Sequence, residues 1–211
     1  MPAYFSLTFE LNKSRNAVGV FCETLIHCGP VFKSGYWGFE NDSFAGIIAW
    51  NQKKLDEDFE LGYTEHHSHD YKQMLFDYAD FSEVRLFIMN QRRKPVFSFA
   101  LIVPEYDLWI YEGKNRAACS MQRKLERMEL LKSVAKKMWA GMDLLAIQTG
   151  WELSDLPPSA WGIAGGTKPQ AEPFCIVPSS CFSLEKDVPF AYEYIERNGV
   201  FIEDGTEWNY R

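Results

Sequence analysis

The stretch VRLFIMNQRRKPVFSFALIV, residues 84–103, consists of two apolar runs separated by a polar segment. The runs Val84 to Met89 and Val96 to Val103 are rich in β-branched and aromatic residues, which favour strands. The segment between them, Asn90 to Pro95, is short and polar, as expected of a connection between neighbouring strands. The stretch therefore predicts an antiparallel hairpin.

The segments on either side of this hairpin alternate between strand and helix periodicity. Phe5 to Leu11 alternates apolar with polar residues, which is typical of a half-buried strand. Apolar residues recur at three- and four-residue spacing from Ser14 to about Cys28, and again from about Ser120 to Ala140. These two segments predict amphipathic helices, and Leu144 to Thr149 then predicts a further strand.

The resulting order is strand, helix, insertion, strand, strand, helix, strand. It is typical of an α+β fold with a split βαβ-like core, in which helices pack on one face of a mainly antiparallel sheet. We expect one globular domain over residues 1–211, a length that a single domain can fill. Its core is predicted at about 1–151, and a loop-rich C-terminal extension, punctuated by prolines and glycines, at about 152–211.

Four shorter segments have weaker patterns. The region from Tyr36 to Leu61 is predicted as loop or short strands, with its best strand candidate at Gly46 to Trp50. Ser68 is placed to cap a helix from His69 to about Ala79. In the extension, Phe174 to Val177 is predicted as an edge strand and Ala191 to Arg197 as a short helix.

The composition is that of an acidic, aromatic-rich chain. It contains 46% hydrophobic and 16% aromatic residues and carries a formal net charge of -7. This charge argues against direct nucleic-acid binding, because phosphates are bound by basic surfaces. No secretory signal and no apolar run of membrane-spanning length is visible, so a cytoplasmic location is expected. The five cysteines are scattered and odd in number, and we predict reduced, mostly buried thiols.

The charges are unevenly distributed along the chain. Between Leu55 and Glu83 there are nine carboxylates and one basic residue, Lys72. Between Lys114 and Lys137 there are eight lysines or arginines against two glutamates. The sequence therefore predicts an acidic lobe and a basic helix.

The hexapeptide EHHSHD, residues 65–70, is the candidate metal site. The imidazoles of His66, His67 and His69 are suitable ligands for zinc or nickel. Adjacent histidines, however, point in different directions on a regular element, and no cysteine or distant histidine completes a ligand set. We predict no metal here, and instead a solvated, pH-sensitive turn at the start of a helix.

Other catalytic signatures are weak or missing. No G-x-S-x-G elbow is present. The glycine-rich segment GIAGGTKP, residues 162–169, has its threonine before its lysine and is followed by prolines, which does not match a phosphate-binding loop. We predict no cofactor and no catalytic residue.

The strongest candidate for a binding surface is the acidic run LDEDFELGYTE, which is accompanied by the rings of Tyr36, Trp37, Phe39, Trp50, Phe59 and Tyr63. A dense set of carboxylates beside rings can dock a basic protein, because complementary charge speeds the encounter and buried rings supply affinity. The predicted partner-binding residues are Trp50, Asp56, Glu57, Asp58, Glu60, Tyr63, Glu65 and Asp70.

Gly150-Trp151-Glu152 follows a predicted central strand, and Gly150 and Trp151 are expected to form a structural turn. With this turn, the acidic, aromatic-rich α+β chain resembles the stand-alone immunity proteins that bacteria encode beside polymorphic toxins. The resemblance implies a non-catalytic, cytoplasmic protein that binds a cognate toxin, often a nuclease, and blocks it. The acidic lobe would then imitate nucleic-acid charge toward a basic toxin surface.

Two other classes of function remain open from the sequence. One is an enzyme, which would be either metal-dependent through His66, His67, His69 and a carboxylate or a transferase whose pocket is lined by aromatic rings. The other is a regulatory domain that binds a small ligand in an aromatic groove.

Overall fold

A computed structural model describes residues 4–61, 71–112, 120–151, 157–182 and 190–204. In these ranges the strands are β1 (Tyr4–Asn12), β2 (Val31–Gly35), β3 (Met74–Asp77), β4 (Val84–Asn90), β5 (Val96–Pro104), β6 (Trp109–Glu112), β7 (Ser120–Arg123), β8 (Ala146–Trp151), β9 (Phe174–Pro178), β10 (Phe190–Ile195) and β11 (Gly199–Asp204). The α-helices are α1 (Ala17–His27), α2 (Phe44–Asp56), α3 (Glu105–Leu108), α4 (Leu125–Gly141) and α5 (Ala160–Ala164).

Nine of these strands form one antiparallel sheet, in the order β10-β11-β9-β8-β1-β5-β4-β3-β2. The predicted hairpin is β4 and β5, paired with Ile88 opposite Phe99. The four central strands, β8-β1-β5-β4, with α1 following β1 and α4 preceding β8, have the predicted split βαβ arrangement. The α+β fold class is therefore confirmed. The strands β6 and β7 form a separate two-stranded sheet.

The main core lies between one face of the sheet and helices α1, α2 and α4. Alternate residues of β1 enter this core, and Phe9 packs edge-to-face on Phe21 of α1 with ring centroids 5.1 Å apart. Phe21 packs in the same manner on Phe99 of β5 at 5.0 Å. Each of these rings is fully buried. This aromatic triad joins the first helix to the two central strands.

The opposite face of the sheet is covered over β8, β9 and β11 by the short helix α5. Ala160 and Ile163 pack there on Cys175, Val177 and neighbouring residues. Glu10 of β1 points to this face and is only 5% exposed. Its two carboxylate oxygens accept the Ala160 N–H at 3.2 and 3.0 Å, so a buried charge lies at the start of α5.

Replacing Glu10 with glutamine tests this buried charge. Burial raises the pKa of Glu10, opposed by the Ala160 hydrogen bond and by Lys94. The folded chain thus holds the proton more tightly than the unfolded chain, and the resulting stabilisation is complete below the unfolded pKa and lost as pH rises through the folded pKa. Since glutamine keeps an acceptor for Ala160 without the charge, we expect Glu10→Gln to melt higher than the natural protein at neutral pH. The difference should disappear in acid, and a natural protein that is the more stable form at pH 7 would contradict this reading.

Three predicted elements are wrong. Gly46 to Trp50 belongs to α2, because Ser43 accepts a hydrogen bond from Gly46 N as an N-cap and buried Ile47, Asn51 and Leu55 recur every four residues. The predicted helix from His69 to Ala79 contains β3 instead, in which buried Met74 and Phe76 alternate with more exposed neighbours.

The predicted helix at Ala191 to Arg197 is strand β10, which pairs with β11 from Phe190 opposite Asp204 to Ile195 opposite Gly199. Segment Phe174 to Val177 is a strand as predicted, but it lies inside the sheet between β8 and β11. The C-terminal extension therefore contributes three strands to the sheet. Pairing with an existing edge determined its structure, which local periodicity does not reveal.

Candidate protein-binding surface

The loop that leads from β2 into α2 holds Trp37 in a strained and exposed position. Trp37 has a φ of 51°, in the left-handed region that non-glycine residues rarely adopt, and it is 78% exposed. Two glycines make this geometry possible. A Cβ on Gly35 would lie 2.2 Å from the carbonyl oxygen of Phe39, and Gly38 has a φ of 90°.

Hydrogen bonds fix this loop on both sides of Trp37. Tyr36 N donates to the Gln73 carbonyl at 3.0 Å, which ties the loop to the chain entering β3. Gly38 N donates to Glu40 Oε1 at 3.0 Å, and this bond lowers the pKa of Glu40. Because the loop is already ordered, Trp37 would lose little freedom on contacting a partner.

Two lysines alternate with three aromatic rings beside this loop. Lys72 Nζ lies 5.0 Å from the ring centroid of Phe39 and 4.7 Å from that of Trp50. Lys54 Nζ lies 5.3 Å from Trp50 and 5.1 Å from Phe59. Trp50 is a residue of α2 and is 39% exposed, and these cation–π contacts place its ring beside both lysines.

A groove of about 570 Å³ runs between α1 and α2. Part of its lining is small or apolar, contributed by Gly19, Ala45, Ile48 and Ala49. The groove is also lined by Lys53 and by three carboxylates, those of Glu23, Asp56 and Glu57. Such a groove suits a long basic side chain, whose aliphatic stem contacts apolar surface while its charged end meets carboxylates.

The predicted acidic residues differ in their surroundings. Asp56 and Glu60 are exposed, and Asp56 Oδ1 accepts a bond from Gln52 Nε2 at 2.9 Å. Glu57 lies 3.9 Å from Lys53 Nζ and 4.0 Å from Lys54 Nζ, distances at which exposed pairs contribute little. These three carboxylates are therefore available to a partner.

Asp58 is held by the chain itself. Its Oδ1 accepts from Lys13 Nζ at 3.0 Å and from Asn90 Nδ2 at 3.3 Å, and the Lys13 hydrogen bond lowers its pKa. Its carbonyl accepts from Arg92 Nε at 2.8 Å, and its backbone has a φ of 50°. Asp58 is thus a structural part of the turn after α2.

A second groove, of about 580 Å³, borders the acidic residues on the other side. Asp56 and Asp58 contribute to its lining, but its other charged residues are the five basic ones Lys13, Arg15, Arg92, Arg93 and Lys94. The acidic lobe predicted from the sequence is therefore flanked by a basic strip at the end of the β4–β5 hairpin.

Several predicted residues lie outside the described part of the chain. They are Tyr63, Glu65 and Asp70, together with His66, His67 and His69. Among the residues that the structure describes, no group of three histidine, cysteine, aspartate or glutamate side chains is arranged to hold a metal ion.

Gly150 and Trp151 do not form the predicted turn. They are the last two residues of β8, where Gly150 pairs with Ser6 and Trp151 with Phe5 of β1. The Trp151 ring packs on Phe5 at 5.0 Å and on Trp109 at 5.8 Å. The pair therefore serves strand packing rather than a chain reversal.

The cysteines in the described residues, Cys22, Cys28, Cys175 and Cys181, are free thiols, and all but Cys181 are buried. Burial raises the pKa of the Cys22 thiol and raises that of Cys175 to about 12. The thiols of Cys22 and Cys175 therefore stay protonated near neutral pH and are poor nucleophiles.

Trp37 accompanies the acidic run in the sequence-based prediction but is not among its predicted binding residues, and neither are Lys54 and Lys72. The signal for Trp37 was the pair of glycines that flank Tyr36-Trp37, since glycines around exposed aromatics favour a tight, left-handed loop. The signal for Lys72 was its position as the one basic residue of an acidic run.

Comparison with protein-family models, with characterised proteins and with solved structures gave no significant match. Within the described residues, none of the helices is both apolar enough and long enough to cross a lipid bilayer.

Proposed function

We propose that this chain is a non-catalytic binding protein that docks a basic protein domain on the surface around α2. In keeping with the resemblance drawn from its sequence, the partner would be a toxin domain and the chain its immunity protein. The observation that carries the proposal is the groove between α1 and α2, which combines an apolar lining with the carboxylates of Glu23, Asp56 and Glu57. A lysine or arginine of the partner would enter this groove.

Exposed tryptophans supply the apolar part of the interface. Trp37 and Trp50 lie at 78% and 39% exposure, and the two are connected through Phe39, which follows Trp37 in the loop and shares Lys72 with Trp50. Tryptophan is enriched among the few residues that dominate binding energy. We therefore assign affinity mainly to the two rings.

The carboxylates would orient the partner and increase its association rate. Between Glu40 and Glu60 there are six carboxylates and two lysines, so this surface attracts a positively charged partner. The basic strip beside it would repel the same partner. The acidic surface and the neighbouring basic strip would together determine the orientation in which the partner docks.

Charge reversal at Asp56 and Glu60 tests this role. The double variant Asp56→Lys/Glu60→Lys leaves the structural Asp58 intact and changes two exposed side chains. We expect its association rate with the basic partner to fall about tenfold or more at low salt, and the difference to shrink as salt is added. Stopped-flow association at several ionic strengths measures both.

The matched control is Glu126→Lys/Glu196→Lys, which makes the same change in net charge at two exposed positions outside the surface around α2. Its association rate should stay much closer to that of the natural protein. Equal slowing by the two double variants would show that net charge alone steers the partner, and would remove this surface from the proposal.

A further inference from the structure

Arg85 occupies an unusual environment on the face of the sheet opposite α1, α2 and α4. It lies on β4 between Val84 and Leu86, which point into the main core. Three rings surround its guanidinium: the Arg85 Cζ lies 4.4 Å from the ring centroid of Tyr36, 5.0 Å from that of Tyr4 and 5.2 Å from that of Phe87. The residue is only 8% exposed.

One donor of this guanidinium, the Nε–H, has no hydrogen-bond acceptor among the described residues. Arg85 Nε is buried and donates no hydrogen bond. Its nearest carboxylate oxygen, Glu83 Oε1, lies 3.4 Å away and is itself buried without a hydrogen-bond partner. Buried arginines normally satisfy their five N–H donors, because a buried donor without an acceptor is destabilising, and more so when it is charged.

A third unpaired atom belongs to the same neighbourhood. Gln73 Oε1 is buried without a partner, while the Gln73 side-chain nitrogen donates to Tyr71 O–H at 3.0 Å. The ring centroids of Tyr71 and Phe87 lie 6.0 Å apart. The Gln73 carbonyl accepts from the backbone N–H of Tyr36, whose ring is the one closest to the Arg85 guanidinium. Three of the four buried unpaired side-chain atoms in the described residues thus lie around one arginine.

The three rings stabilise the buried charge of Arg85 but provide no acceptor for its N–H groups. Aromatic faces stabilise a guanidinium by cation–π attraction, but they offer no lone pair in the plane of its N–H groups. The terminal Nη1 and Nη2 atoms of Arg85 are not among the buried unpaired atoms, and 10% of the side chain is exposed. An acceptor that arrives from outside can therefore reach the guanidinium.

We propose that Arg85 is a binding site for a carboxylate, and that the rings of Tyr4, Tyr36 and Phe87 receive the apolar body that carries it. The planar guanidinium matches a carboxylate with two parallel hydrogen bonds. A singly charged group is favoured over a phosphate dianion because Glu83 already places a negative charge beside Arg85. The site does not depend on the proposed partner, since the carboxylate can come from a free organic acid or from an acidic side chain of a protein.

Titration of the protein with sodium benzoate, followed by NMR of the arginine Nε–H signals, tests the site. We expect one arginine Nε–H signal to shift saturably at millimolar benzoate and to be absent from the spectrum of Arg85→Lys. In that variant, binding should weaken at least tenfold when followed by the ring signals of Tyr4 and Tyr36. The control Arg93→Lys, at an exposed arginine of the β4–β5 turn, should bind as the natural protein does.

Absence of saturable binding to the natural protein would overturn the proposal, as would equal binding by Arg85→Lys. If the lysine variant fails to fold, the titration of the natural protein still tests whether the site binds a carboxylate. Saturating benzoate then identifies the source of the carboxylate. Displacement of a bound protein partner assigns the group to that partner, and simultaneous binding assigns it to a free acid.

Discussion

Replacing Phe21 with alanine is expected to lower the free energy of unfolding by about 3–5 kcal/mol, the usual cost of removing a fully buried phenylalanine. Phe21 is 0% exposed and makes edge-to-face contacts with Phe9 at 5.1 Å and Phe99 at 5.0 Å. The substitution removes both ring contacts and leaves a cavity where α1, β1 and β5 meet. Urea unfolding followed by circular dichroism measures the change.

The matched control is Val20→Ala on the same helix, one residue away and 42% exposed. Its effect should stay within about 0.5 kcal/mol, because surface substitutions rarely exceed that. A cost for Phe21→Ala below about 1 kcal/mol would mean that α1 does not pack on the central strands as described.

Asp107→Ala is the second substitution with a large expected cost, on the order of 3–5 kcal/mol, since it removes one partner of a buried ion pair. Asp107 is 4% exposed, and its Oδ1 lies 2.9 Å from Arg127 Nη1. Its Oδ2 accepts from Ser82 N at 2.8 Å and Ser82 Oγ at 2.7 Å. In the alanine variant, the largely buried Arg127 and two donors of Ser82, its amide N–H and its hydroxyl, lose this acceptor.

Asp80→Ala provides the contrast, because Asp80 pairs with the same Arg127 but its side chain is 71% exposed. We expect little change in stability from that variant, as for most solvent-exposed ion pairs. Similar losses from the two alanine variants, measured by thermal unfolding, would show that the position of the carboxylate relative to solvent does not matter here.

The sequence predicted the central strands well because their signal is local. Phe5 to Leu11 alternates in the sequence, and its apolar residues are the ones that enter the main core. The runs around Phe87 and Phe99 likewise contain enough β-branched and aromatic residues to specify a buried hairpin. The order and the type of these elements then predicted the split βαβ core.

The sequence-based prediction failed at one unrecognised helix cap and at a strand that pairs with another part of the chain. Gly46 suggested a strand end, yet it lies in the first turn of α2, where its N–H is bound by Ser43. Ala191 to Arg197 has helical apolar spacing but pairs with β11, which itself pairs with β9. The periodicity of one segment reveals neither the Ser43 cap nor the pairing of β10 with β11.

The binding role of Trp50 and the acidic run stays a prediction. Trp50, Asp56 and Glu57 lie in α2 or at its C-terminal cap, where the sequence predicted loop or short strands. The sequence did not separate the structural Asp58 from Asp56, because the partners of Asp58, which are Lys13, Asn90 and Arg92, lie 32 to 45 residues away. Arg85 drew no attention, although an arginine within the apolar run VRLFIM was the signal for its buried site.

The most direct test of the proposed function is calorimetry of this chain, and of its Trp37→Ala variant, with whatever protein the neighbouring reading frame encodes. Trp37 is exposed and held by its own loop, so its loss should alter the interface without affecting the core. We predict a natural Kd below about 1 µM, equivalent to ~8 kcal/mol, and at least a tenfold loss in the variant. No binding by the natural chain, or equal affinity for the two, would contradict the account.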